Sequence, residues 1–326
     1  MPPLFPGLFL GIGLSLCALY LGTLFPIVGG AVFGILLGII VRTLRPIPKG
    51  YLPGINFNAK QILQFSIILL GGTLSLGQIV RIGSESFSVL IFTVTVAGIT
   101  AATLGRMLGV TKILQQLIGV GTAICGGSAI AAVSSVIDAD DHDIAYAIST
   151  IFLFNVLAVI IFPTLGLLLH MSHYGFGLFA GTAINDTSAV VAAGYTFSLA
   201  AGDFATIVKL TRTTLIIPIC LFFMTLTMRE KKTTGHFDIV KIFPWFILGF
   251  LGMAVVNTLG YIPPTLVPLL KDSARFLIIL ALTAVGLKTD FRKMLETGPK
   301  PMLLGLGVWL AVASTSLIVQ CISKQL

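Results

Sequence analysis

The sequence predicts an all-α polytopic membrane protein of nine to eleven transmembrane helices, built from inverted repeats, with two discontinuous helices or re-entrant hairpins meeting near the midplane. Three observations carry this. The 326 residues are 56% hydrophobic and 10% charged, with a mean hydropathy of +1.05, whereas a soluble domain carries about 25% charged residues. Apolar runs long enough to span recur along the whole chain, and only helices or closed barrels satisfy their backbone in lipid. The short alternating segments of a barrel are absent. Finally, two polar decapeptides sit inside apolar sequence, "GTAICGGSAI" from Gly121 and "GTAINDTSAV" from Gly181.

Nine spans are expected, over residues 6–24, 28–43, 61–76, 86–104, 144–165, 205–228, 243–259, 274–287 and 302–322. The N-terminal stretch lacks the basic region of a signal peptide, so a retained first helix is expected. Cys17, Cys125, Cys220 and Cys321 lie in apolar segments without paired spacing, which implies neither a disulfide frame nor a zinc site. The net charge of +8 is a topology signal, because fourteen of the twenty Lys and Arg fall in one set of loops. These are Arg42, Arg45, Lys49, Lys60, Arg106, Lys112, Arg229, Lys231, Lys232, Lys241, Lys288, Arg292, Lys293 and Lys300. Positive residues stay in the cytoplasm, which places the N-terminus inside and the C-terminus outside. Nucleic acid is not an expected partner.

Two internal echoes organise the chain. "FSIILLGGTLSLGQIVR" from Phe65 resembles "FLIILALTAVGLKTDFR" from Phe276, and the charge bias makes these run in opposite directions, as in secondary transporters. The decapeptide repeat keeps its sixty-residue register to Asp143 and Asp203. Segments 111–137 and 175–199 therefore form a repeated unit of broken segment, acidic turn and span. If both segments crossed, the units would be parallel; as re-entrant hairpins they become inverted and agree with the first echo. One limb of about 12 residues rises about 18 Å, enough to reach the middle of the bilayer. The sequence divides into panel-type helices at 1–60, a first core repeat at 61–170 and a permuted second core repeat at 174–326.

The broken segments hold the candidate substrate-binding residues: Thr122, Cys125, Gly126, Gly127 and Ser128 in one, and Thr182, Asn185, Asp186, Thr187 and Ser188 in the other. A helix broken at mid-membrane frees backbone groups, tolerated only against protein or a cavity. Its exposed N-termini suit an anion. Small residues for tight helix packing are the competing explanation. Asp186 at mid-membrane costs about 2.5–3.5 kcal/mol on insertion scales. Lys209 and Arg212 share one face of the following span. Either they pair with Asp186, or they bind an anionic substrate while Asp186 couples H⁺ or Na⁺; Lys209 can also snorkel. Asn155 can bond a neighbouring helix or reach the cavity. The acidic run from Asp138 to Asp143 is a solvated loop or helix cap, and His170 and His173 fall in a loop.

Gly126–Ala129 fits the loose Gly-x-Ser pattern of an intramembrane serine protease, but no histidine is placed to activate Ser128, and such an enzyme has no use for the second decapeptide. A gated anion channel is the stronger rival. No P-loop is present, so an ion gradient is the expected drive.

The stretches "GTAICGGSAIAAVSSVI", "FPTLG", "GTAINDTSAVVAAG" and "ATIVKLTRTTLIIP", in that order, resemble the YeiH-like family of bacterial inner-membrane proteins to which sulfate export is attributed. The resemblance covers nearly the whole chain. It implies the fold of the cation:proton antiporter and bile acid:sodium symporter clan, in which a panel domain faces a core with discontinuous helices. Family members often carry His where this chain has Asn185, a departure that shifts any proton relay to Asp186. The chain is thus expected to be a secondary transporter of a small anion, sulfate or an organic sulfonate or carboxylate. The expected partners are that solute, H⁺ or Na⁺, the lipid bilayer and a second copy of the chain; no enzyme activity, metal or cofactor is expected.

Overall fold

The computed structural model describes residues 4–25, 29–137, 139–231, 245–289 and 298–325, and among them the secondary structure is entirely helical. Lys232, Lys241, Arg292 and Lys293, used in the charge argument, and Asp138 of the acidic run lie outside the described residues. Helices α1 (Phe5–Leu24) and α2 (Gly29–Leu44) match the first two expected spans. The third begins earlier than expected, with α3 (Leu52–Phe57), a π-helical turn (Asn58–Ile62) and α4 (Leu63–Gly71). Then α5 (Leu76–Met107) runs 32 residues, because Ser75 and Gln78 form a reciprocal capping box that starts it ten residues ahead of the predicted edge.

The remainder comprises α6 (Lys112–Ala123), α7 (Gly127–Ile137), α8 (Asp141–Leu168), α9 (His173–Ala183), α10 (Thr187–Phe197), α11 (Leu199–Thr214), α12 (Ile216–Lys231), α13 (Phe246–Thr258), α14 (Leu266–Lys288) and α15 (Pro299–Ile322). The span expected over 205–228 is interrupted at Leu215. Pro218 has no N–H to offer the Thr214 carbonyl four residues back, so the ladder lapses there. Among the described residues, five helices are long and apolar enough to cross a membrane by length and composition, and Gly29–Leu44 and Phe246–Thr258 are shorter apolar helices.

Neighbouring contacts give the direction of each helix and decide between crossing and re-entry. Gly105 meets Gln115 and Gly119 meets Ala101, so α5 and α6 are antiparallel. Gly307 meets Leu104 and the Gln325 amide donates to the Glu85 carbonyl, so α15 opposes α5. Gly305 meets Thr150 and Phe154, and the Trp309 ring stacks on Phe154 and Phe162, so α8 runs with α15. By this chain of directions α6 and α8 are parallel. Since Gly121 and Gly126 both touch Ile151, ten residues into α8, α7 must descend from that depth to the start of α8. Its 11 residues supply about 16 Å, the required distance.

The second broken segment folds back in the same way. Gly177 meets Ala205 and Gly181 meets Val208, making α9 parallel to α11, while Gly194 meets Gly202, making α10 antiparallel to it. The Phe176 and Phe197 rings at the two hairpin ends stack 4.1 Å apart. Both broken segments are re-entrant hairpins, entering from opposite faces. The face bearing Arg106 and Lys112 receives the ends of hairpin α6–α7; the other receives those of α9–α10.

One departure concerns the modules. Helix α14 belongs to the second core repeat in the sequence division, yet it packs on α2 and α1. Gly34 and Gly38 of α2 lie against Thr283 and Leu287, and the Ser15 hydroxyl of α1 donates to Thr283 Oγ1 at 3.2 Å. Helices α1, α2 and α14 thus pack together, with α3 and α4 beside them, and glycine faces backbone at the α1–α2, α1–α3 and α2–α14 crossings, which lets these helices approach closely.

The re-entrant path predicts sided chemistry. In a sealed vesicle, Thr111→Cys and Ala139→Cys will react with an impermeant maleimide from one face, and Ser172→Cys and Leu199→Cys from the other. Labelling of the two positions of either pair from opposite faces would restore the crossing topology.

Candidate functional site

The hairpin tips meet in the interior: a Cβ on Gly126 would stand 3.8 Å from the Asp186 Cβ. Gly126 turns the chain with φ of +67°, which an L side chain adopts only under strain, and its N–H donates to the Gly121 carbonyl at 2.9 Å. The second tip is an extended stretch at Ile184 and Asn185, held from outside. Asn155, midway along α8, accepts the N–H groups of Asn185 and Asp186 on its Oδ1, each at 3.1 Å.

Each tip ends one half-helix and begins another. The ends of α6 and α9 expose carbonyl groups, which burial in an apolar interior makes expensive. Lys209 and Arg212 supply the donors. The Arg212 Nε donates to the Ala123 carbonyl at 2.6 Å and Nη2 to that of Thr122; Nη1 donates to Thr182 at 2.6 Å and to Ile184 at 3.3 Å. Lys209 Nζ donates to Ile124 at 2.5 Å and to Ile184 at 3.1 Å. Both side chains have no exposed surface. The sequence allowed two arrangements, an ion pair with Asp186 or cations offered to a substrate. The structure shows a third: the cations clasp the C-terminal carbonyls of both broken helices, the end at which the helix dipole favours positive charge. Among the described residues neither makes a salt bridge to Asp186. The legible signal was the i,i+3 spacing on the helix after two breaks; that its target was backbone could not be read, because the carbonyls come from residues 25 to 90 positions away.

The other candidates separate into those the structure turns toward the crossing and those it turns away. The Thr122 hydroxyl donates back to Ile118, and the Thr182 hydroxyl bonds Leu178 and shares a 2.6 Å contact with Ser316 Oγ on α15. Their side chains are therefore committed to their own or a neighbouring helix. Cys125 is buried. Asp186 caps α10: its Oδ2 accepts the Ser188 N–H at 2.9 Å and the Ser188 hydroxyl. Thr187 and Ser188 are buried with it. Asp186, Ser188 and Asn155 line a cavity of about 10 Å³ closed by Ile35 of α2 and Val285 of α14, room for about one water. The Asn185 amide is 1% exposed with neither polar atom partnered. At the start of α7, by contrast, Gly127 is half-buried and Ser128 exposed, and a Cβ on Gly127 would meet nothing within 4 Å.

The electrostatics follow. Two carbonyl ends are saturated by two cations, and one helix N-terminus is occupied by Asp186. The N-terminus of α7 holds no acid; its first amides, of Gly127, Ser128 and Ala129, have no partner within the helix. The crossing carries two buried cations against one carboxylate. Elsewhere, Asp140 caps α8 through the Asp143 N–H at 2.7 Å and groups with His142 and Asp143 on the surface.

The fold and this crossing define a polytopic α-helical membrane protein with inverted repeats and paired re-entrant hairpins. The chain belongs to the conserved hypothetical protein 698 family, whose pattern matches residues 6–305. It is 44% identical over 311 residues to a UPF0324 membrane protein of Clostridium tetani, covering 90% of this chain and 89% of that one. It is 41% identical over 334 residues to a UPF0324 membrane protein of Fusobacterium nucleatum, covering 96% of each. A UPF0324 membrane protein of Streptococcus pneumoniae serotype 4 is 42% identical over 315 residues, covering 94% of each. No solved structure matches the chain.

The clasp sets an expectation for stability. Removing Arg212 leaves up to four hydrogen bonds to buried carbonyls unmade, each worth about 1–3 kcal/mol. Arg212→Met will therefore lower the melting temperature in detergent sharply, and Arg212→Lys will recover part of the loss, because an ammonium cannot reproduce the guanidinium fork. A melting temperature unchanged in Arg212→Met would rule out the clasp.

Proposed function

We propose that the chain is a secondary transporter of a small anion, sulfate or an organic sulfonate or carboxylate, driven by H⁺ or Na⁺ and working by alternating access. The carrying observation is the unbalanced charge at the hairpin crossing. Lys209 and Arg212 are wholly buried, their nearest carboxylate is bound to its own helix N-terminus, and at the start of α7 the Ala129 amide lies on the Cys125 thiol while Gly127 and Ser128 stand where there is open space. An anion seated at Gly127 and Ser128 balances that charge and meets the first amides of a helix N-terminus. Asn185, buried and unpartnered, supplies a further polar group at the same crossing.

Asp186 is the coupling group in this reading. It is the carboxylate at the crossing, half-buried, beside a cavity the size of one water. Binding H⁺ or Na⁺ there adds positive charge near the anion seat, which favours loading both together. Lys209 and Arg212 act at one remove: they fix the tips and contribute long-range charge without touching the solute. The protein lies in the bacterial inner membrane with its basic face, and the ends of α6–α7, in the cytoplasm. The channel alternative is weaker, because the two tips pack against each other, a Cβ on Gly126 standing 3.8 Å from that of Asp186. The protease alternative is weaker still, since His142 packs on Tyr146 at the surface start of α8.

In proteoliposomes the protein will exchange labelled sulfate, or a sulfonate, in saturable counterflow. Asp186→Asn will leave exchange but abolish uphill accumulation driven by a proton or sodium gradient. Ser128→Pro, which removes one seat amide, will weaken anion binding about tenfold or more, as expected for a lost hydrogen bond to a charged ligand. Flux that rises linearly with concentration through single-channel openings would replace the carrier with a pore.

A further inference from the structure

The two hairpins are related by sequence but are packed differently. Every residue from Thr187 to Gly194 of α10 is buried, and α10 shares a core with panel residues Ala31, Val32 and Ile35 of α2 and Ala274, Ile278 and Leu282 of α14. The cluster that contains α7 includes, among the described residues, none from α1 to α4, α13 or α14. The contrast holds position by position in the sixty-residue register. Ser128 and Ala131 are exposed, whereas their equivalents Ser188 and Val191 are 3% and 0% exposed. The panel is closed on the hairpin of one face and parted from the hairpin of the basic face.

On the closed side an ion pair ties the two modules. Lys271 of α14 donates to Asp203 Oδ2 of α11 at 2.9 Å, and the Tyr195 hydroxyl of α10 donates to Asp203 Oδ1 at 2.6 Å. Both members have a counterpart. Asp203 corresponds to Asp143 through the decapeptide register. The register that pairs Phe276 with Phe65 pairs Lys271 with Lys60, and each lysine follows a Tyr-x-Pro, at Tyr261–Pro263 and Tyr51–Pro53. Lys60 lies in the π-helical turn between α3 and α4 and Asp143 in the first turn of α8, both toward the basic face, whereas Lys271 and Asp203 lie near the starts of α14 and α11 toward the other. In this structure they are apart: Lys60 is exposed with Lys288 as a charged neighbour, and Asp143 has Asp140 and His142.

We propose that Lys271–Asp203 and Lys60–Asp143 are two symmetry-related gate latches, one closed and one open here, made and broken in alternation as the site turns from one face to the other. The proposal rests on the alternating-access part of the function above and adds the groups that hold each state. The structure is then the state open to the basic face, with α7 and its amides accessible from that side. The inverse state buries Ala131 and Ser128 under the panel, frees Val191 and Ser188, and joins Lys60 to Asp143. The repeat supplies a reason for two acidic turns of similar spacing.

The test uses full-length protein in sealed vesicles, with the exposed Cys17 and Cys321 replaced by Ser and the buried Cys125 and Cys220 retained. A short bifunctional thiol reagent should join Lys271→Cys to Asp203→Cys, and in a separate variant Lys60→Cys to Asp143→Cys. With the first pair locked, Ala131→Cys will label from the basic face and Val191→Cys will not label. With the second locked, labelling of Ala131→Cys will fall about tenfold or more and Val191→Cys will become reactive from the opposite face. Failure of the Lys60→Cys/Asp143→Cys pair to join while the other pair joins would overturn the proposal, as would labelling indifferent to both locks. The labelling needs no solute, so a protein that switches but moves no anion would keep the latches and discard the anion reading.

Discussion

Two cations one helical turn apart hold the interior of this protein together. Arg212 and Lys209 reach five backbone carbonyls from two hairpins that enter from opposite faces. A broken helix deep in an apolar medium would otherwise leave those carbonyls unsatisfied, at a cost of several kcal/mol each in hydrocarbon. The same contacts neutralise the negative ends of α6 and α9 and set the depth of both tips. Burying the cations is itself unfavourable, so clasp and breaks require each other: neither is tolerable alone.

That arrangement sorts the four helix ends at the crossing by charge. The two C-termini are spent on the clasp. Of the two N-termini, α10 carries its own acid, since Asp186 binds the amide and hydroxyl of Ser188. Only α7 begins with small, accessible residues and no acidic cap. The near-identity of the two decapeptides therefore hides a difference, produced by replacing Cys-Gly-Gly with Asn-Asp-Thr: one tip begins its second helix with small residues and no acidic cap, the other is capped by its own Asp186.

The inverted repeat imposes a second level of order. Because the hairpins enter from opposite faces, any packing of the panel on one has a mirror on the other. The panel helices meet at glycines such as Gly34 and Gly38, where helix backbones approach closely. The core is joined to it by side chains, including the aliphatic contacts of α10 and the ion pair at Asp203. Stiffness within modules and exchangeable contacts between them are what a rocking mechanism needs.

Much of this was legible in the sequence. Composition and run length established a helical membrane protein, since no other structure satisfies its backbone in lipid. Self-similarity revealed the repeats, the breaks at Gly126 and Asp186 and the preference for re-entry, because inverted symmetry admits only one reading of both echoes. The early start of α5 at Ser75 and the break of the 205–228 span before Pro218 were not legible, because local hydropathy does not resolve element edges. The tertiary structure alone decided the role of Lys209 and Arg212. Their charge and spacing are local facts, but what they bind is backbone delivered by distant segments, and a carbonyl has no letter in the sequence.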